Sequence, residues 1–176
     1  ERRRDIIDLL AEKFTVRRLI TLEGWEEQGR MLEGTGSMIL DRVNRVVYAC
    51  DSMRTDAVSL EEWSTMMRFT SICFNAVGRD GIPIYHTNVM MALGTTHAVI
   101  CLEAIVDEEE KGKVVASLQA AGKQIVAISY DQMEHCAGNM LELRGTDGPV
   151  WAMSSAAYEA LTEEQRRELQ SSKGTK

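Results

Sequence analysis

The chain has 176 residues, 44% of them hydrophobic, enough apolar side chain for one cored domain. Its 20 Lys and Arg against 27 Asp and Glu leave a net charge of -7, the wrong sign for a surface that neutralises phosphates, and no apolar run is long enough for a membrane span. Nucleic acid and membrane are thereby excluded as main partners, and the charged start at Glu1 does not read as a secretory signal.

In chain order, Asp5 to Phe14 predicts a helix and Val16 to Leu22 a strand. The string GSMILDRVNRVVYACDS then reads as two short strands around a turn at Asp41 to Asn44, followed by a helix over Leu60 to Phe69 and a strand over Ile72 to Val77. TNVMMALGTTHAVICLE repeats the pattern, turning at Gly94 to Thr96, with a helix over Asp107 to Ala121 that Gly122 caps and a strand over Gln124 to Ser129. GNMLELRGTDGPVWAMS repeats it again, turning at Gly145 to Gly148 with Pro149, before a helix over Ser155 to Gln170. Acidic residues gather at the helix starts, as the helix dipole prefers.

These hairpins are internal repeats. Ser37, Asn88 and Asn139 align at two offsets of 51 residues without a gap, and Tyr48, Val99 and Val150 superpose at the same offset, as do Cys50, Cys101 and Ala152. The unit is strand, strand, helix, strand, which makes the fold class α/β. About three units are present, and the chain begins and stops on a helix with no polar capping repeat. Two readings follow: residues 1–176 are a single partial domain of a longer protein, or they form an open three-unit array. An open array leaves blade edges and apolar faces exposed, so a homo-oligomer is compatible with it.

The four cysteines, Cys50, Cys73, Cys101 and Cys136, form no C-x-x-C pair and have no His at ligand spacing, so neither zinc nor another metal is indicated. Three of them sit in apolar runs, where a free thiol behaves as a small hydrophobe, and this favours a reducing, cytoplasmic location. Met38, Met90, Met91 and Met140 recur at repeat positions as core packing. Arg2 to Arg4 read as a solvated helix face, Asp80 as the shaper of a turn at Gly81, and His97 and His135 have no partner at metal spacing.

The strings LEGTGSMILDR, YACDSMRT, PIYHTNVMM and HCAGNMLEL resemble the amidinotransferase-like, citrulline-hydrolase branch of the pentein (guanidino-group modifying) superfamily. That superfamily includes arginine deiminase, agmatine deiminase and dimethylarginine dimethylaminohydrolase. The resemblance spans nearly the whole chain and implies a pentein-type α/β propeller of five strand-strand-helix-strand blades, of which about three are present, in a protein of roughly 300 residues. It implies a hydrolase that attacks the ureido or guanidino carbon of a free amino acid, of citrulline or arginine type, with a Cys thiolate. The covalent adduct is then hydrolysed by water that a His activates, with no cofactor and a small-molecule amino acid as partner.

Carried over residue by residue, the resemblance makes His86 in IYHTN the catalytic acid and base, a role that suits a side chain changing charge near neutral pH. It makes Glu33 in LEGTG the carboxylate that orients and charges the imidazole. Arg54 in DSMRT becomes the fork that holds the substrate carboxylate, and Asn88 a contact to the substrate head. Many members acting on guanidinium read H-x-D where this chain reads H-x-N. The uncharged amide favours a neutral ureido group, although Ser37 and Asn139 hold the equivalent place in the other units, so Asn88 also reads as a turn residue. Gly34 and Gly36 let the backbone turn tightly beside the site; no G-K-[ST] follows to make a phosphate loop. The family's nucleophile lies in a glycine-rich segment that these 176 residues do not contain, and Cys136, beside Gly138 and Asn139, is the local candidate. Two rival functions remain: a non-catalytic binding module of the same fold, and an amidinotransferase or arginine deiminase.

Overall fold

The computed structural model describes residues 3–170. Helix α1 (Arg4–Lys13) and the short α2 (Glu23–Glu26) precede the first repeat. That repeat consists of β1 (Ile39–Asp41), β2 (Val46–Cys50), α3 (Ala57–Met67) and β3 (Thr70–Phe74). The second consists of β4 (Met91–Leu93), β5 (His97–Ile100), α4 (Glu108–Ala120) and β6 (Gln124–Ala127). After α5 (Tyr130–Glu134) the third runs through β7 (Leu141–Gly145), β8 (Gly148–Ala152), α6 (Ser155–Ala160) and α7 (Glu163–Gln170).

In each of the first two units the hairpin is antiparallel and the strand after the helix adds in parallel, giving the sheet orders β1-β2-β3 and β4-β5-β6. The third unit is the two-stranded β7-β8. The first two units are therefore repeated strand-strand-helix-strand pieces, consistent with part of a pentein-type propeller.

The repeat is not a uniform shift. Tyr48, Val99 and Val150 pair with Ile39, Ala92 and Leu143, so the second strands keep the offset of 51 while β4 lies 53 residues after β1. The first turn is longer, and the Asp41 carboxylate organises it by accepting from the N–H groups of Val43 and Asn44 and from the Asn44 amide.

Successive units stack face to face. One face of the first sheet, with Tyr48, Cys50 and Phe74, joins the main core of Met90, Met91, Val99, Ile100, Val114 and Leu118. The opposite face, with Val47 and Ala49, packs against Leu60 of α3, flanked by Met38, Trp63 and Phe69. Tyr48 reaches the next unit's helix directly, its hydroxyl 2.9 Å from Ser117 Oγ. In the third sheet Trp151 packs on the main core, whereas Leu141, Leu143 and Val150, on the other face, are exposed.

Several sequence expectations change. Val16 to Leu22 forms no strand, and Val16 and Leu19 stand exposed. The expected helix over Ser155 to Gln170 is two helices, because Leu161 is extended and Thr162 starts α7 by exchanging hydrogen bonds with Gln165. Helix α3 begins three residues earlier than expected, where the Asp56 side chain accepts from Ser59 N, so Glu61 and Glu62 fall outside its first turn. Helix α5 was not anticipated, although the capping box of Ser129 and Gln132 marks it.

Third and second units touch at Gly138. A Cβ there would lie 2.5 Å from the Val89 carbonyl oxygen and 2.8 Å from the Met90 backbone. Backbone cannot swing aside as a side chain can, so Gly138→Ala is expected to cost about 2–3 kcal/mol. Urea denaturation would read this as a lower midpoint at unchanged slope.

Candidate active site

The site forms where the starts of the first two hairpins meet. The LEGTG loop turns at Gly34 (φ 58°) and closes with Met38 N–H donating to the Gly34 carbonyl at 2.9 Å. The DSMRT segment is a tight turn in which Ser52 and Thr55 exchange backbone hydrogen bonds. Ser52 Oγ accepts from Arg54 N–H and donates to the Tyr85 carbonyl, tying that turn to the extended segment that carries His86. His86 is extended (φ -134°, ψ 136°) and precedes a 3-10 turn over Thr87–Val89.

Three of the four expected residues come together. His86 Nε2 lies 2.8 Å from Glu33 Oε2, and Arg54 Nη1 donates to Glu33 Oε1 at 2.7 Å. The Arg54 guanidinium, then the His86 imidazole, hold the Glu33 carboxyl below its ordinary value of 4.5. An ionised carboxylate only accepts, so the imidazole proton shared with it sits on Nε2, and Nδ1 carries the lone pair of the neutral ring. A Cβ on Gly36 would lie 2.9 Å from His86 Nδ1, so only glycine lets the loop lie this close to the ring. The Tyr85 ring lies 4.9 Å from the His86 imidazole between centroids.

Arg54 spends one nitrogen on Glu33, while its Nε and Nη2 donate to no group among the described residues; the side chain is half exposed. Asn88 stands apart from the cluster. Its backbone N–H donates to the Gly36 carbonyl at 3.1 Å and its own carbonyl accepts from Asn139 Nδ2 at 2.8 Å, but its side-chain amide has no hydrogen bond among the described residues. The repeat-equivalent Asn139 thus does the structural tying.

All four cysteines are free. Burial raises the thiols of Cys50 and Cys101, and pushes Cys73 up to about 11. Cys50 lies beneath the site with its thiol donating to the Ile84 carbonyl. Cys136 is exposed, in a left-handed conformation (φ 64°), and no bond joins it to Glu33, His86 or Arg54 among the described residues. Asp80 shapes its turn by accepting from Ile82 N–H, His135 donates to the Asp131 carbonyl, and buried His97 contacts Thr96 Oγ1. Among the described residues no group of three His, Cys, Asp or Glu could hold a metal, and no helix is long and apolar enough to cross a membrane.

The repeated strand-strand-helix-strand units, together with the match to a family model, place the chain in the guanidino-modifying pentein superfamily. More particularly, the chain belongs to the family described as N,N dimethylarginine dimethylhydrolase, eukaryotic, which matches residues 1–175. Among solved structures it is similar to the N-terminal domain of ArgZ bound to substrate, an arginine dihydrolase from the ornithine-ammonia cycle in cyanobacteria. The identity is 15% and the TM-score 0.63, over 87% of this chain and 55% of that one. It is also similar to apo ArgZ, at 14% identity and a TM-score of 0.64, over 86% of this chain and 24% of that one. A third likeness is to the ArgZ N-terminal domain covalently bound to a reaction intermediate, at 16% identity and a TM-score of 0.62, over 88% and 55%. At these identities the likeness is one of fold, and the chain spans about half the length of that N-terminal domain. No curated protein matches it.

Proposed function

We propose that the chain supplies the acid–base and carboxylate-binding part of a hydrolase acting at the guanidino or ureido carbon of a free amino acid of arginine or citrulline type. The observation that carries this reading is the Glu33 carboxylate shared between His86 at 2.8 Å and Arg54 at 2.7 Å. A surface binder has no need of such a set, and both the family match and the covalent intermediate seen in the related fold point the same way.

In this mechanism a Cys thiolate adds to the central carbon of the substrate head. His86, as imidazolium, gives the Nδ1 proton to the leaving amine while Nε2 stays on Glu33. The C–N bond breaks, and the neutral Nδ1 then takes a proton from water as that water attacks the adduct. Thiolate and imidazolium are regenerated, so one water is consumed per amine released. Arg54 takes the substrate carboxylate on its unused Nε and Nη2. Asn88, whose amide is unengaged, contacts the head. With Cys50, Cys73 and Cys101 held as thiols and Cys136 unconnected to His86, the thiolate comes from outside these 176 residues, which we take as part of one propeller domain.

The test is turnover of free arginine, dimethylarginine and citrulline by the full-length protein, followed as release of ammonia or dimethylamine. Release from at least one is expected. Citrulline alone would make Asn88 the reader of a neutral head, arginine or dimethylarginine alone would assign a guanidinium substrate, and silence with all three would overturn the proposal.

A further inference from the structure

Thr87, fully buried between His86 and Asn88, takes no part in the chemistry above. Its hydroxyl accepts from Cys50 N–H at 2.9 Å and donates to the Ser37 carbonyl at 2.5 Å. Ser37 is also fully buried, and its own hydroxyl accepts from Glu33 N–H at 3.1 Å and donates to the Arg54 carbonyl at 2.8 Å. Two touching hydroxyl residues thus join the backbone of every segment that carries a charged site residue. Glu33 and Arg54 hang on Ser37; His86 hangs on Thr87.

We propose that Thr87 is a positioning residue that sets the separation of the His86 imidazole from the Glu33 carboxylate across the boundary between the first two repeats. It touches neither group. A hydrogen bond of 2.8 Å between Nε2 and Oε2 survives displacements of only a few tenths of an ångström. His86 belongs to the second unit and Glu33 to the first, so that distance is only as constant as the joint between the units. At this joint the hydrogen bonds beside His86 include the two made by Thr87 Oγ1, the one from Asn88 N–H to the Gly36 carbonyl, and those from Ser52 Oγ to the Tyr85 carbonyl and from Cys50 Sγ to the Ile84 carbonyl. Of these residues only Thr87 is a fully buried neighbour of His86 that bonds two first-unit backbone groups. Valine would keep the shape of threonine but leave Cys50 N–H and the Ser37 carbonyl buried without this partner, so the extended segment carrying His86 must shift to satisfy them. Serine would keep both bonds.

The experiment reads the bond itself by NMR in the chain labelled with nitrogen-15. The His86 Nε2–H proton is expected to exchange slowly in the parent and in Thr87→Ser, and at least about tenfold faster in Thr87→Val, as the loss of roughly one hydrogen bond's worth of protection requires. In a Glu33→Ala background, where no acceptor remains to be positioned, Thr87→Val is expected to add nothing. Unchanged His86 exchange in a folded Thr87→Val, or an equal further increase in the Glu33→Ala background, would overturn the proposal and leave Thr87 a core residue. If Thr87→Val does not fold, Ser37→Ala decides: it removes the tie on the Glu33 side and is expected to speed the same proton, whereas no change would again overturn the proposal. A kinetic arm rests on the proposed function: Thr87→Val in the full-length protein is expected to lower kcat about tenfold with little change in KM. If the parent turns over nothing, the functional reading falls and the NMR arm still decides on Thr87.

Discussion

His86→Ala in the full-length protein is expected to lower turnover by about 10²–10⁴-fold, the range typical of a lost general acid and base. The fold should tolerate the change. His86 is half-buried, its backbone is ordinary extended chain, and the imidazole rests on Gly36, so removing the ring opens space without stranding a buried polar partner in the main core. Glu33→Gln is the informative companion, since it keeps the shape but removes the charge that fixes the proton on Nε2. A loss of about 10²-fold or more is expected, carried mainly by kcat. Arg54→Ala should instead raise KM, because Arg54 meets the substrate carboxylate rather than the reacting carbon. Steady-state kinetics with far-UV circular dichroism on each variant checks all three; a His86→Ala enzyme within threefold of the parent would remove the imidazole from the mechanism.

The pH behaviour has a definite sign. Arg54 and His86 depress the Glu33 carboxyl below 4.5, so the stability it contributes is fully present above 4.5 and is lost as pH falls through the lower folded value. Both Glu33 and Arg54 are partly exposed, and solvent screening keeps that contribution small. An acid limb of activity near neutral pH would therefore belong to another group, and the small acid-induced loss of stability should vanish in Glu33→Gln.

Much of this was legible in the residues because the repeat is written twice, once as apolar alternation and once as turn chemistry. The three hairpins and the cap at Gly122 follow from local rules that neighbours reinforce. The meeting of Glu33, Arg54 and His86 came from motif resemblance, since no local rule brings together residues 53 positions apart. What stayed hidden depends on partners in space. Val16 to Leu22 has the composition of a strand but pairs with none among the described residues. Thr87 and Ser37 look like ordinary polar residues until the fold buries them against each other, and only the structure shows that Asn139, not Asn88, spends its amide on the backbone. The two-residue shift between the first and second hairpins is likewise invisible to an ungapped repeat, because the longer turn at Asp41 is offset by a shorter approach to β1.

Lys123→Met is expected to be the most destabilising single change, by about 3–5 kcal/mol, because it strands a buried charge. Lys123 follows the left-handed Gly122 (φ 72°) at the end of α4, and its side chain, 5% exposed, crosses to the hairpin turns. Nζ donates to the carbonyls of Gly94 at 3.1 Å and Thr95 at 2.9 Å and lies 3.3 Å from Asp41 Oδ2, three partners for its three protons. Burial alone would raise the Asp41 carboxyl, but hydrogen bonds from Asn44 and the charge of Lys123 outweigh it and hold the group below 3.8. The stability Asp41 contributes is present above 3.8 and lost as pH falls through the depressed value. Removing Lys123 should therefore move acid unfolding to higher pH as well as lower the urea midpoint. Asp41→Asn leaves the turn's acceptor oxygen in place, so adding it to Lys123→Met should recover part of the loss by removing the unpaired charge. Additive losses in the double variant, or a single-variant loss under 1 kcal/mol, would mean that the ammonium is replaceable by water. The pair joins the turns at the far end of the strands from Glu33 and His86, so turnover per folded molecule should be unchanged. That separates a change in the number of folded molecules from a change in the site.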